Sequence, residues 1–239
     1  TERRTRLYRN ADDAETMLRL KIYSLGPVAL SDAVPALENF GFRVLEELPT
    51  LIGPKGELGH IHRFILQLPE GQAADALIHR ASILETAFAA VLEGSAENDR
   101  FNQLMVSAAL DQRSVVLFRA LFRYLRQTGM PYGLQTVADV LRRAAPIARD
   151  LVSLFDARHD PRRKADGEKA AHAASTAIDR GLADVSAIDD DRILRLYRGV
   201  INATLRTNMF AAAATEALAF KLDSAAVPGL PDPRPWREV

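Results

Sequence analysis

The 239 residues carry 31 basic and 31 acidic side chains, so the formal charge is zero and there is no global electrostatic reason to expect a nucleic-acid partner. A composition of 48% hydrophobic and 26% charged residues is that of a folded chain, long enough for one large domain or two modest ones. The absence of cysteine excludes disulfides, thiolate metal sites and cysteine nucleophiles, and fits a reducing compartment. No apolar run approaches the ~18 residues that a membrane span needs, so a membrane partner is not expected either. The chain opens Thr1-Glu2-Arg3-Arg4 without a methionine and stops at Pro235-Trp236-Arg237-Glu238-Val239 without an evident terminal element, as expected of a piece of a longer protein.

The first third reads as mixed α and β. Leu7-Tyr8-Arg9 is a short extended stretch, and Leu18-Arg19-Leu20-Lys21-Ile22-Tyr23 alternates apolar and polar residues as a half-buried strand does. Gly26-Pro27 ends it. Leu30, Ala33, Val34, Leu37 and Phe40 then share one side of a helix, with Ser31 as its expected N-cap and Gly41 as its stop. Strands are expected from Arg43 to Leu48 and from Ile61 to Leu68, joined by a turn at Gly53-Pro54-Lys55-Gly56. A single helix follows from Ala73 to Leu92, striped by Leu77, Ala81, Leu84, Phe88 and Val91. The order strand, helix, strand, strand, helix is most of a ferredoxin-like split β-α-β unit. Its fourth strand is either missing or replaced at the sheet edge by the stretch near Tyr8.

From Glu97 onward the period is helical. Phe101, Leu104, Met105 and Ala108 form one stripe; Asp111 caps the next, which carries Val115, Phe118, Leu121, Phe122 and Leu125 and stops at Gly129. Val137, Val140, Leu141 and Ala144 follow, and Pro146 opens a further helix through Leu151 and Phe155. The segment from His159 to Lys164 reads as a break. Another stripe runs from Ala171 to Val185, and Asp189 or Asp190 is expected to cap a helix bearing Ile193, Tyr197, Val200 and Leu205. Leu218 to Leu222 alternates again before a proline-rich exit.

Chemistry is sparse. Neither a G-x-G-x-x-G nor a G-x-x-x-x-G-K-[ST] occurs, and Gly53, Gly56 and Gly59 fall in a hairpin loop rather than between a strand and a helix. His60 and His62 share one face of a strand, but no third ligand stands at metal spacing, so both are read as solvent-facing and no metal is expected. Glu46-Glu47 on a strand face opposite ways, and Asp189-Asp190-Asp191 at a helix start complement its dipole. Arg119, Arg123 and Arg126 are read as a solvated face opposite core phenylalanines.

Two stretches carry a resemblance. Residues Leu25 to Val44, with Gly26 after the first strand, Leu30 opening the helix and Gly41 leading into the next strand, resemble an ACT domain. Leu18 to Tyr23, Leu37-Glu38-Asn39, Ala96 to Asn102, Arg123 to Gln127, Ala203 to Asn208, Phe220 to Asp223 and Pro228 to Pro235 are similar, in this order, to the large NAD-specific glutamate dehydrogenases of bacteria. The resemblance implies an α+β fold: a ferredoxin-like, ACT-like sheet with two helices over 1–96, a mainly helical domain over 97–216, and an extended segment over 217–239 leading to the catalytic domain. It implies a non-catalytic regulatory or assembly segment of an enzyme that oxidatively deaminates glutamate to 2-oxoglutarate and ammonia with NAD. The catalytic and NAD-binding residues would then lie beyond Val239, in a cytoplasmic homo-oligomer whose catalytic domain belongs to the same polypeptide. An amino-acid effector, if bound as in other ACT domains, would meet the turn at Leu25, Gly26, Val28 and Leu30. A free-standing amino-acid sensor and a helical scaffold are the alternatives.

Overall fold

The computed structural model describes residues 3–54, 58–163, 165–215 and 217–239. Lys55 and Gly56 of the expected turn, and Lys164 of the expected break, lie outside the described residues. The chain forms two compact units, Thr1–Val115 and Val116–Val239.

Unit 1 is built on four strands: β1 (Arg4–Tyr8), β2 (Met17–Ser24), β3 (Arg43–Ile52) and β4 (Gly59–Gln67). They form one antiparallel sheet in the order β1-β2-β4-β3. β2 and β3 are joined through α1 (Leu30–Asn39), and β4 is inserted between them, which is the split β-α-β arrangement expected. The missing fourth strand is β1: it pairs with β2 from Arg4↔Tyr23 to Tyr8↔Arg19 and supplies the sheet edge from the N-terminal side of the motif.

Alternation dictates which face is dry. Leu18, Leu20 and Ile22 on β2 and Phe64 and Leu66 on β4 are fully buried, each contributing about 1.5–3 kcal/mol. Against them pack Ala33, Leu37 and Phe40 of the α1 region and Leu84 and Phe88 of α3 (Ala81–Leu92), with the Phe40 and Phe88 rings 4.4 Å apart edge to face. α1 starts two residues earlier than a Ser31 cap would allow: Ala29 is the N-cap residue and the Ser31 hydroxyl lies 3.4 Å from Asp32. Gly41 stops the helix as expected, at φ +94, with its N–H on the Glu38 carbonyl.

The two edges are protected differently. On β1 the Leu7 N–H donates to Glu85 Oε1 at 2.7 Å and the Thr5 hydroxyl to the Glu85 carbonyl at 2.7 Å, so α3 closes this edge. On β3, Pro49 and a bulge between Val44 and Glu46 interrupt the free edge.

The helix expected over 73–92 is broken into α2 (Ala74–Ile78) and α3. Arg80 leaves helical geometry at φ −113 and ψ 16, and its guanidinium donates to the carbonyls of Met105 and Leu110 at 2.9 and 3.0 Å. Those bonds tie α4 (Gln103–Ser107) to the sheet domain, and Phe101, Leu104 and Met105 are buried with it.

α5 (Gln112–Gln127) begins where expected, with Asp111 Oδ1 accepting from the Ser114 N–H at 2.8 Å. Unit 2 holds its remainder with α6 (Leu134–Arg143), α7 (Ala145–His159), α8 (Gly167–Ala183) and α9 (Ile188–Ala203). Pro146 lies in the first turn of α7, where its missing N–H costs nothing. Tyr197 of α9 is wholly buried, its hydroxyl donating to the Phe118 carbonyl at 3.3 Å. Arg119 is buried as well, not part of a solvated face.

Three expectations are corrected here. His159 is the last residue of α7, not loop: its ring packs 4.8 Å from Phe155. α9 is entered at Ile188 after an Ala187 N-cap, so Asp189 to Asp191 lie within its first turn instead of capping it. Leu205 does not belong to α9, because the chain passes directly into β5 (Thr204–Thr207), which pairs with β6 (Phe220–Leu222). Leu222 also bridges Glu238, whose carboxylate accepts from the Tyr124 hydroxyl. Among the described residues no helix is long and apolar enough to cross a membrane.

Candidate functional site

The turn between β2 and α1 is held from below by β4. His62 is on the same face of β4 as Phe64 and Leu66, so it points into the helix-covered side and is 6% exposed. This corrects the expectation of a solvent-facing histidine. Its Nε2 accepts the Val28 N–H at 3.3 Å, which leaves the ring proton on Nδ1, 2.8 Å from Glu47 Oε1. Both side chains are shielded, at 8% and 14% exposure. Ser24, buried at the end of β2, donates to the Gly26 carbonyl at 2.6 Å and closes the other side of the turn.

This arrangement fixes the backbone of the turn. The imidazole lone pair is already occupied by a peptide N–H, and the second nitrogen is committed to a carboxylate. His60 stacks on His62 at 6.1 Å with an interplanar angle of 16°, and among the described residues no group of three metal-ligating side chains forms.

The four expected effector-site residues fall into two kinds. Val28 is buried beneath the turn, whereas Leu25 and Leu30 are 68% and 47% exposed. Gly26 lies between them, and a Cβ built there meets nothing within 4 Å. The turn is therefore a rigid frame with open space above it and two leucines at its rim. Glu47 and Ser24 were not foreseen. The parity of His62 with Phe64 and Leu66 would have pointed inward, and an inward histidine calls for a buried partner.

The acidic candidates resolve into pairs. Glu46 and Glu47 pair with Ile65 and Phe64, on opposite faces of the sheet. Asp189 accepts from the Tyr132 hydroxyl at 2.6 Å, Asp190 holds Arg143 at 2.8 Å, and Asp191 holds Arg195 four residues on. The Arg143–Asp190 pair lines a cleft of about 430 Å³ between α6–α7 and α8–α9, walled by Ile147 and Leu194.

Comparison with known proteins places these units. Residues 2–77 match the model of the glutamate dehydrogenase ACT3 domain, residues 96–161 that of glutamate dehydrogenase helical motif 3, and residues 177–239 that of the bacterial NAD-glutamate dehydrogenase catalytic domain. The third match opens within α8, ahead of residue 217. Curated NAD-specific glutamate dehydrogenases are similar along nearly the whole chain. That of Pseudomonas aeruginosa is 38% identical over 97% of it, that of Halomonas elongata 36% over 98%, and that of Mycobacterium tuberculosis 36% over 88%. The chain spans 14–15% of the length of these relatives.

Proposed function

Because the chain belongs to the bacterial NAD-specific glutamate dehydrogenase family, we propose that it is a regulatory and assembly segment of such an enzyme and supplies none of its reacting groups. The parent would convert glutamate to 2-oxoglutarate and ammonia with NAD, in the cytoplasm and as a homo-oligomer. The observation that supports this reading is that the buried His62 is engaged on both ring nitrogens, by the Val28 N–H and by Glu47, under the β2–α1 turn.

NAD does not fit these residues. The strand-to-helix connections of the sheet, β2–α1 and β4–α2, carry one glycine each, Gly26 and Gly71, and Pro27 removes an N–H next to the first. A dinucleotide phosphate needs a glycine-rich turn there. No step of the reaction is therefore routed through these two turns.

For the ACT-like unit we assign the turn at Leu25, Gly26, Val28 and Leu30 as the place where an amino-acid effector acts. The open space over Gly26 and the pinned backbone beneath it support that assignment. Glutamate-dependent NADH formation, measured on the 239 residues and on the intact parent, tests the main reading. Activity only in the parent is expected, and turnover by the 239 residues alone would overturn it. Calorimetry of the parent with single amino acids tests the turn: heat lost in Gly26→Val is expected, and unchanged heat rejects the site.

A further inference from the structure

The helices of unit 1 cover one face of its sheet, and the side chains of the opposite face form rows across the strands. The central row is Arg6, Lys21, Arg63 and Leu48, each directly opposite the next. Neighbouring strands lie ~4.8 Å apart, so three cations stand side by side, and like charges in direct opposition destabilise a sheet.

Their counter-charges are incomplete. Arg6 lies 3.6 Å from Glu85. The nearby Arg19 is consumed by Asp13, at 2.7 Å, and its guanidinium holds that carboxyl down to about 2. Lys21 has the face of the Tyr8 ring at 5.1 Å. No carboxylate among the described residues pairs with Lys21 or Arg63. Arg63 is half-buried, and its Nε is shielded from solvent with no hydrogen-bond partner there. A shielded, unpaired guanidinium proton costs on the order of 1–3 kcal/mol and calls for an acceptor. Towards β3 the cations are bordered by Ile61, Ile65 and Leu48, and Glu46, opposite Ile65 on this same face, is exposed and acts on Arg19.

We propose that this helix-free face is a docking surface for an acidic, partly apolar patch of the same polypeptide outside these 239 residues. The inference rests on the reading of the chain as part of a longer dehydrogenase. Two observations select that occupant. The missing charge is one or two carboxylates beside an apolar strip, which a protein surface supplies and a nucleic-acid backbone does not. The relatives extend far beyond the 15% of their length that this chain covers, so a tethered partner is present at high effective concentration.

Zero-length carbodiimide cross-linking of the intact parent, prepared as a mixture of ¹⁵N-labelled and unlabelled protein, tests the proposal by mass spectrometry. The expected product joins Lys21 to an aspartate or glutamate outside the 239 residues, with both peptides carrying the same label. Lys21→Arg removes that product and leaves the remaining cross-links in place. Lys21 linked only within the 239 residues, linked only in mixed-label pairs, or left unlinked overturns it. Glutamate-dependent NADH formation in the same preparation is read separately, so a failure of the docking surface is distinguishable from a failure of the functional reading.

Discussion

His159 gives a prediction whose size follows from its surroundings. It ends α7, where the helix dipole favours a protonated imidazole by about 0.3–1 kcal/mol. Burial against Phe155 opposes this, with help from the neighbouring Arg158 charge, and wins: the group is lowered from 6.5 to about 4. Its Nε2 is shielded and without a hydrogen-bond partner among the described residues, so protonation would strand a charge there. A folded value below the unfolded one means that the unfolded chain binds the proton first. The neutral imidazole is therefore compatible with full stability above pH 6.5, and stability is lost as the pH falls from 6.5 towards 4. The gap sets a ceiling of about 3 kcal/mol, which partial solvent access reduces to about 1–2 kcal/mol. Urea unfolding followed by circular dichroism, at neutral pH and again near the lower value, measures it. His159→Leu should lose about 1–2 kcal/mol less than the wild type on acidification. An identical acid-dependent loss in both proteins would refute the desolvation argument.

Other substitutions test the packing and the turn. Gly199→Ala places a Cβ 2.1 Å from Pro228 Cγ on a rigid ring, so the gain of about 1 kcal/mol in helix propensity should be outweighed and the melting temperature should fall by a few degrees. Arg80→Leu removes two charge-assisted bonds, to Met105 and Leu110, and should destabilise unit 1 by about 2–4 kcal/mol in denaturant titration. Glu47→Leu leaves the His62 Nδ1 proton without an acceptor and should cost about 1–3 kcal/mol, with hydrogen exchange of the Val28 amide accelerated. Unchanged exchange at Val28 would show that the His62 strut does not hold the turn.

Much of this fold is legible in the sequence because its signals are local. The period-2 pattern of Leu18 to Tyr23, the stop at Gly41, the cap at Asp111 and the proline opening α7 each act within a few residues, and each appears where the pattern places it. What was illegible depends on distant partners. Nothing near Arg80 announces that carbonyls 25 and 30 residues away will pull it out of a helix. β5 is four residues long and has no strand identity until β6 arrives to pair with it. The candidate site divides in the same way: the turn at Gly26 is visible as a breaker, whereas the Glu47–His62–Val28 strut under it joins residues from β3, β4 and the turn, brought together only by the strand register.

The central proposal is that residues 1–96 serve regulation or assembly within a glutamate dehydrogenase without supplying its reacting groups. Deleting residues 1–96 from the intact parent, then measuring steady-state rates beside the mass by light scattering, tests it most directly. The account predicts an altered rate or a changed assembly state, with detectable glutamate-dependent NAD reduction retained. A parent whose rate and assembly are both untouched by the deletion, or one that loses all turnover while remaining folded and assembled, would contradict it.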